Sequence, residues 1–295
     1  ILGIFLLTGR GFFRVAGAVI FAGGLLMAIN YHPFRSSPFD QYHGDLGPLP
    51  YQELIDYAND RGGVVLWARQ GVPLRQGRVG SFRTETPPSL ELLFSTQGWV
   101  ALEGLYDGGP VAARAGGEWD ALLERYLRGT IPAPVWVYGG VDFRSRKERG
   151  GLKRLSDVQT VFLVRKKGME DVLRALSRGK MYAVRGYEKD RLRLDEFRVE
   201  GEGGAGTMGD ELRLKGPAFI SFRISSSDGS ERPLTVSLIA RGRVVRKIEG
   251  RTPLSLRLKD EPMEPGTLTY YRLEARADGE DILLSNPIFI RFEAP

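Results

Sequence analysis

Cysteine is absent from all 295 residues, so the chain can build no disulfide framework, thiolate zinc site or cysteine nucleophile. That absence suits a cytosolic protein and a bacterial envelope protein equally. Histidine is nearly as scarce, with two residues. The serine clusters Ser36-Ser37 and Ser225-Ser226-Ser227 carry no arrangement that points to Ser-His-Asp chemistry. Blocks of a single charge are missing too: 42 Lys+Arg stand against 36 Asp+Glu, for a net charge of +6, and the two signs are interleaved. No basic run alternates with aromatics as a single-strand groove requires, so no nucleic-acid partner is expected. The sequence also lacks an internal repeat and a low-complexity tract.

What it does have at its start is apolar length. Gly11 to Asn30 carries one charge, Arg14 near the beginning, and is long enough to cross a hydrocarbon core of about 30 Å. Arg10 and Arg14 flank its start and no basic residue lies within it afterwards, which by the positive-inside rule places the N-terminal side in the cytoplasm and the bulk of the chain outside it. The chain begins with Ile in an apolar segment and reads as a fragment or processed form. Ile1 to Leu7 reads as the tail of a preceding span, joined through Thr8-Gly9-Arg10-Gly11 in a membrane hairpin. Two other readings stay open: buried strands at Leu2 to Leu7 and Phe13 to Phe21, because short apolar runs do not separate strand from helix, and a signal peptide, although no small-x-small cleavage pattern closes the segment.

Residues 31–50, rich in proline, glycine and aromatics, read as a connector. From Pro50 onward helical and strand patterns alternate. A helix carrying Leu54, Ile55, Tyr57 and Ala58 stops at Arg61-Gly62-Gly63 before a strand from Val64 to Ala68. A short helix from Ser89 to Ser95 leads to a strand from Trp99 to Tyr106, and a helix from Gly116 to Arg128 leads to a strand that ends at Gly139. The strand Val158 to Val164, the helix Met169 to Arg178 and the strand Met181 to Val184 complete the series. Such alternation predicts a parallel α/β layer or open barrel over 51–188. Four or five strands are fewer than a closed barrel needs, and the missing ones are expected upstream of Ile1.

Near Asp190 the period changes. Residues 191–295 contain short alternating segments spaced by turn signals such as Ser227-Asp228-Gly229, Arg241-Gly242 and Asp278-Gly279, which predict an all-β sandwich of immunoglobulin-like size. The glycines of Gly201-Glu-Gly-Gly-Ala-Gly206 lack the Lys-Ser/Thr and the helix of a phosphate loop, and read as a linker.

The stretch with most chemical content is Gly139-Gly140-Val141-Asp142-Phe143-Arg144. An apolar strand runs into a glycine pair and presents an acid at its end, where α/β barrels keep their chemistry. Glu103, near the end of the Trp99 to Tyr106 strand, is a candidate base or metal ligand, or else a charged edge residue. His43-Gly44-Asp45 offers two metal-ligand types, or a loop pair capping local turns.

The order of these pieces resembles the polymerase and histidinol phosphatase (PHP) superfamily of metal-dependent phosphoesterases. The residues that carry the resemblance are Leu54 to Tyr57 through Gly62 to Gln70, Ala101 to Tyr106, Gly139 to Arg144, and Val172 to Ala183, which is similar to that barrel's closing pattern. The resemblance implies a PHP-type βα barrel, partial here, and a cluster of divalent metals, zinc, manganese or iron, that polarises a phosphoryl oxygen. It also implies that the β-sandwich ending Leu284-Ser285-Asn286-Pro287-Ile288-Phe289 is an appended bacterial envelope module. In this comparison histidine is expected at positions 69 and 144. Arg69 and Arg144 stand there instead, and arginine has no lone pair to give a metal. Only Asp142 remains as a remnant ligand, with any further ligands upstream.

The expectation is therefore a bacterial inner-membrane protein with periplasmic domains, catalytically impaired, whose metal is lost or reduced. Arg69, Arg144 and Arg146 would bind phosphate or another anion in the metal's place, with an envelope protein as a further partner. The alternative is an active phosphoesterase.

Overall fold

The computed structural model of the chain describes residues 9–30, 39, 46–68, 77–79, 82–84, 90–106, 109–110, 112–141, 156–186, 190–279 and 281–294. These fall into two units, residues 1–63 and 64–295.

In the first unit, α1 (Phe12–Asn30) is a single helix of 19 residues, about 28 Å long at 1.5 Å per residue. The strand reading of Phe13 to Phe21 is thereby corrected. Among the described residues no strand pairs with this segment, whereas a helix meets its N–H and C=O groups within itself. Phe12–Ile29 has a mean hydropathy of 2.0 and is almost wholly exposed. Its apolar residues lie all round, with Phe12, Val15, Val19, Leu26 and Met27 uncovered. The helix is long and apolar enough to cross a membrane, as a span or a signal sequence would be. The other arm of the expected hairpin, Ile1 to Leu7, lies outside the described residues. A second helix, α2 (Leu49–Asn59), opens with Pro50 in its first turn, where the missing N–H costs nothing, and buries Ile55.

The second unit starts with a small parallel sheet. Its strands β1 (Leu66–Trp67), β4 (Ala101–Leu105) and β5 (Trp136–Gly139) lie in the order β1-β4-β5. A separate hairpin is formed by β2 (Gly77–Val79) and β3 (Phe82–Thr84). α3 (Leu92–Ser95) precedes β4, and α4 (Glu118–Leu127) precedes β5. α4 carries Glu118 and Asp120 in its first turn and Arg125 in its last, complementing the helix dipole, and buries Trp119, Leu122 and Leu123 on one face.

Beyond β5 the parallel expectation fails. β6 (Val158–Phe162) and β7 (Met181–Arg185), linked through α5 (Met169–Ser177), run antiparallel to each other. β7 then pairs antiparallel with β16 (Ile282–Ser285), so the change of period near Asp190 falls inside a continuous sheet. Sequence alternation fixes the type of each element; the direction of a strand depends on which edge accepts its hydrogen bonds, and no periodicity carries that.

The remaining strands are β8 (Leu192–Gly201), β9 (Gly204–Thr207), β10 (Glu211–Leu214), β11 (Ala218–Ser226), β12 (Pro233–Ala240), β13 (Arg243–Arg251), β14 (Leu254–Asp260), β15 (Leu268–Ala277) and β17 (Ile288–Phe292). One sheet has the order β14-β11-β8-β9. The other runs β10-β17-β15-β16-β7-β6, with β12 and β13 attached beside β15. Phe197, Val199, Ile220 and Phe222 of the first sheet and Val184, Val236, Tyr271, Leu273 and Ile290 of the second pack into one core. Each such side chain contributes about 1.5–3 kcal/mol on burial. The linker reading of Gly201 to Gly206 is corrected: Gly204–Thr207 is β9, paired antiparallel with β8. Gly203, at the turn, has φ +115° and faces the Arg213 carbonyl so closely that a Cβ would collide with it, so glycine is required there.

Two polar clusters tie the parallel sheet and its helix to the sandwich. The Asn286 side chain accepts from Val137 N (2.8 Å) and donates to Val137 O (3.0 Å) and Met181 O (2.9 Å). On α4, Asp120 receives Arg272 of β15 through both carboxylate oxygens.

Tyr126, also on α4, donates to Glu211 at 2.7 Å. Burial, and then the Glu211 hydrogen bond, push its phenol up to about 12. An unfolded tyrosine ionises near 10, so above that pH the unfolded chain loses a proton that the folded one keeps. The stability due to Tyr126 is whole below pH 10 and is lost as pH rises through about 12. Denaturation followed between pH 9 and 12 should therefore fall less steeply for Tyr126→Phe than for the parent; equal slopes would contradict this.

Candidate functional site

The parallel register sets the site. Leu66 pairs with Ala101 and Trp67 with Leu102, while Ala101, Leu102 and Glu103 pair with Trp136, Val137 and Tyr138. All three strands point the same way, so their C-terminal ends meet at one edge. The pairing shifts between Glu103 and Leu105, so Leu105 lies opposite Gly139. Gly140 N then donates to Leu105 O at 3.0 Å. Gly139 is held from the other side, because its N–H donates to Thr160 Oγ1 (2.9 Å) and the Thr160 hydroxyl donates to its carbonyl (3.0 Å). The glycine pair is thus pinned at the strand end.

Glu103 is brought to this edge. It sits on the central strand of the three and is half-buried. Its Oε1 lies directly over Gly140, where a Cβ would strike it, so the glycine makes room for the carboxylate. Tyr138, the Glu103 pairing partner, donates its hydroxyl to Trp67 O at 3.3 Å, across to the outer strand. Burial, and secondarily the charge of Glu103, raise the Tyr138 phenol well above its ordinary range, so it stays a neutral donor at any physiological pH. Tyr138 and Thr160 were not among the sequence candidates. Tyr138 looks like one more apolar strand position, and Thr160 reaches Gly139 across 21 residues with no local pattern to mark it.

The other candidates, Arg69, Asp142, Arg144, Arg146, His43 and Asp45, lie outside the described residues. In the chain Arg69 follows the end of β1 by two positions and Asp142 follows the end of β5 by three. Among the described residues no group of three or more His, Asp or Glu side chains is placed to hold a metal ion. The cluster Ser225-Ser226-Ser227 spans the end of β11 and the turn that follows it: Ser226 and Ser230 donate their hydroxyls to Asp228 Oδ1 at 2.6 and 2.7 Å. These bonds hold the Asp228 carboxyl down at about 2.

No family model and no curated protein matches the chain. Among solved structures it is similar to an engineered protein, at 8% identity, covering 82% of this chain and 44% of that one with a TM-score of 0.23. It is also similar to the endo-beta-1,4-mannanase from Thermotoga petrophila, at 10% identity, covering 70% of this chain and 50% of that one with a TM-score of 0.23. The chain spans about half the length of either structure. At that TM-score neither likeness bears on fold or activity.

Proposed function

We propose that the protein is a membrane-anchored, extracytoplasmic member of the PHP-like group, its α/β portion a reduced PHP-type barrel and its sandwich an immunoglobulin-like module. Its degenerate metal site binds an anionic ligand at the C-terminal edge of β1, β4 and β5. The observation that supports this most is the convergence of the three parallel strand ends on one edge, with the Glu103 carboxylate and the neutral Tyr138 hydroxyl beside the pinned Gly139-Gly140 pair. Arg69 and the run from Asp142 to Arg146 follow two of those ends in sequence.

The charge balance decides what such an edge can hold. Glu103 and Asp142 are two carboxylates, and Arg69, Arg144 and Arg146 are three guanidiniums. Guanidiniums in excess leave an edge that takes an oxyanion through bidentate, charge-assisted hydrogen bonds. They cannot ligate a metal. In this reading the helix α1 is the anchor, and Arg10 before it and Arg14 in its first turn support, by the positive-inside rule, an extracytoplasmic position for the remaining domains.

Calorimetric titration of the purified full chain with phosphate and sulfate tests this reading. Saturable binding is expected, weakened by about 1–3 kcal/mol in Arg144→Ala through loss of a charge-assisted contact. Metal content should stay well below one equivalent, and Arg69→His with Arg144→His should raise it. Stoichiometric zinc or manganese in the unmodified protein, with phosphoesterase turnover that depends on Asp142, would instead establish an active metalloenzyme.

A further inference from the structure

The opposite edge of the same sheet carries a second feature, independent of the reading above. At the N-terminal ends of β4 and β5 lies a cavity of about 220 Å³. Its walls are Leu93, Trp99, Leu122, Ile131, Pro134 and Trp136. Both indole N–H groups are taken up by backbone carbonyls, Trp99 by Thr96 O (3.2 Å) and Trp136 by Ser177 O (3.1 Å). Neither indole therefore asks for a hydrogen bond from an occupant.

One charge enters this lining. Arg125, in the last turn of α4, donates from Nη1 to Phe94 O at 3.0 Å, and its guanidinium carbon lies 6.0 Å from the Phe94 ring centroid. No aspartate or glutamate is among the described residues of the lining, and among the described residues no carboxylate is in ion-pair reach of Arg125. A guanidinium has five N–H donors, and one bond to a carbonyl leaves most of them for a ligand. An apolar cavity with one unneutralised cation is complementary to an apolar molecule that carries one anionic group. The volume is below the usual range of about 300–1,000 Å³ for ligand pockets, which suits a compact ring system and excludes a long acyl chain.

We propose that this cavity binds a small aromatic carboxylate, its rings between Trp99 and Trp136 and its carboxylate on Arg125. A carboxylate matches the planar fork of the guanidinium, and flat rigid rings suit a cavity lined by indole and aliphatic side chains at little entropic cost.

The full chain in phosphatidylcholine nanodiscs, titrated by calorimetry against empty nanodiscs, provides the test. The probes are 2-naphthoate, 2-naphthalenemethanol and 2-naphthylmethylammonium, which share the rings and differ in charge. Naphthoate is expected to bind one to one, at least tenfold tighter than the alcohol and tighter still than the cation. Arg125→Gln should erase that preference while leaving the alcohol unchanged, and Arg125→Lys should keep part of it. Ala133→Trp, which fills the cavity, should abolish binding of all three, with its melting curve showing that the protein remains folded. Equal affinities for the three probes would overturn the proposal, as would a preference that survives Arg125→Gln or binding indifferent to Ala133→Trp. Arg144→Ala should leave naphthoate binding untouched, so the fate of this site and that of the phosphate site are read separately.

Discussion

Asn286→Ala is expected to lower the free energy of unfolding by about 2–4 kcal/mol, because it strips partners from three backbone groups at once. Asn286 is fully buried. Its amide oxygen is the acceptor for Val137 N, and its amide nitrogen serves both Val137 O and Met181 O, so one side chain joins β5 to β7 where no backbone ladder does. Alanine leaves the N–H and both carbonyls without those bonds in a site closed to water, and adds a void. Asn286→Asp is expected to be worse at neutral pH. It keeps the acceptor for Val137 N but turns two donors into a carboxylate facing two carbonyl oxygens. That carboxyl would titrate above its unfolded value, so part of the lost stability should return as pH falls and be lost again as pH rises through the folded pKa. Chemical denaturation at pH 7 and pH 4.5 separates the cases, and an alanine variant within 0.5 kcal/mol of the parent would refute the bridging role.

Asn286 also marks where the sequence stops being informative. In Asn286-Pro287 it has the look of a turn residue, and its partners lie 149 and 105 residues away. The strands that can be read locally are those with one covered face. β8 buries Leu192, Leu194, Phe197 and Val199 and turns charged residues outward, and β11 buries Ile220, Phe222 and Ile224 in alternation with the less buried Phe219, Ser221 and Arg223. β16 escapes detection because all four of its residues are buried between β15 and β7, leaving no alternation to see. β9 escapes because Gly-Ala-Gly-Thr offers almost no side chains, and its pairing is set by the turn at Gly203. At the candidate site, Glu103 and Gly139-Gly140 are legible as an acid and a glycine pair at strand ends. Their juxtaposition is not, since it comes from the register of β4 on β5.

The largest single loss is expected for Asp120→Ala, about 3–5 kcal/mol, and its excess over the reverse truncation is what identifies the mechanism. Arg272 is fully buried and Asp120 nearly so. Arg272 sends Nε to Oδ1 at 2.8 Å and Nη2 to Oδ2 at 2.6 Å, a bidentate pair across 152 residues that fixes α4 on β15. The carboxylate has two further donors, the Tyr270 hydroxyl and Gly116 N, each at 2.8 Å. The guanidinium has no such reserve: Nη1 lacks a hydrogen-bond partner among the described residues, and otherwise it has the Trp119 ring, 4.6 Å from its central carbon. Removing the acid therefore strands a buried cation, whereas Arg272→Met leaves an anion that still accepts two hydrogen bonds. Arg272→Met should consequently cost less than Asp120→Ala. Combining Arg272→Met with Asp120→Ala should cost much less than the sum of the single changes, because the desolvation of both charges disappears with them. Denaturation of the three variants closes the cycle. A coupling below about 0.5 kcal/mol, or a costlier Arg272→Met, would mean that the pair is held in place by the surrounding core and does not itself hold α4.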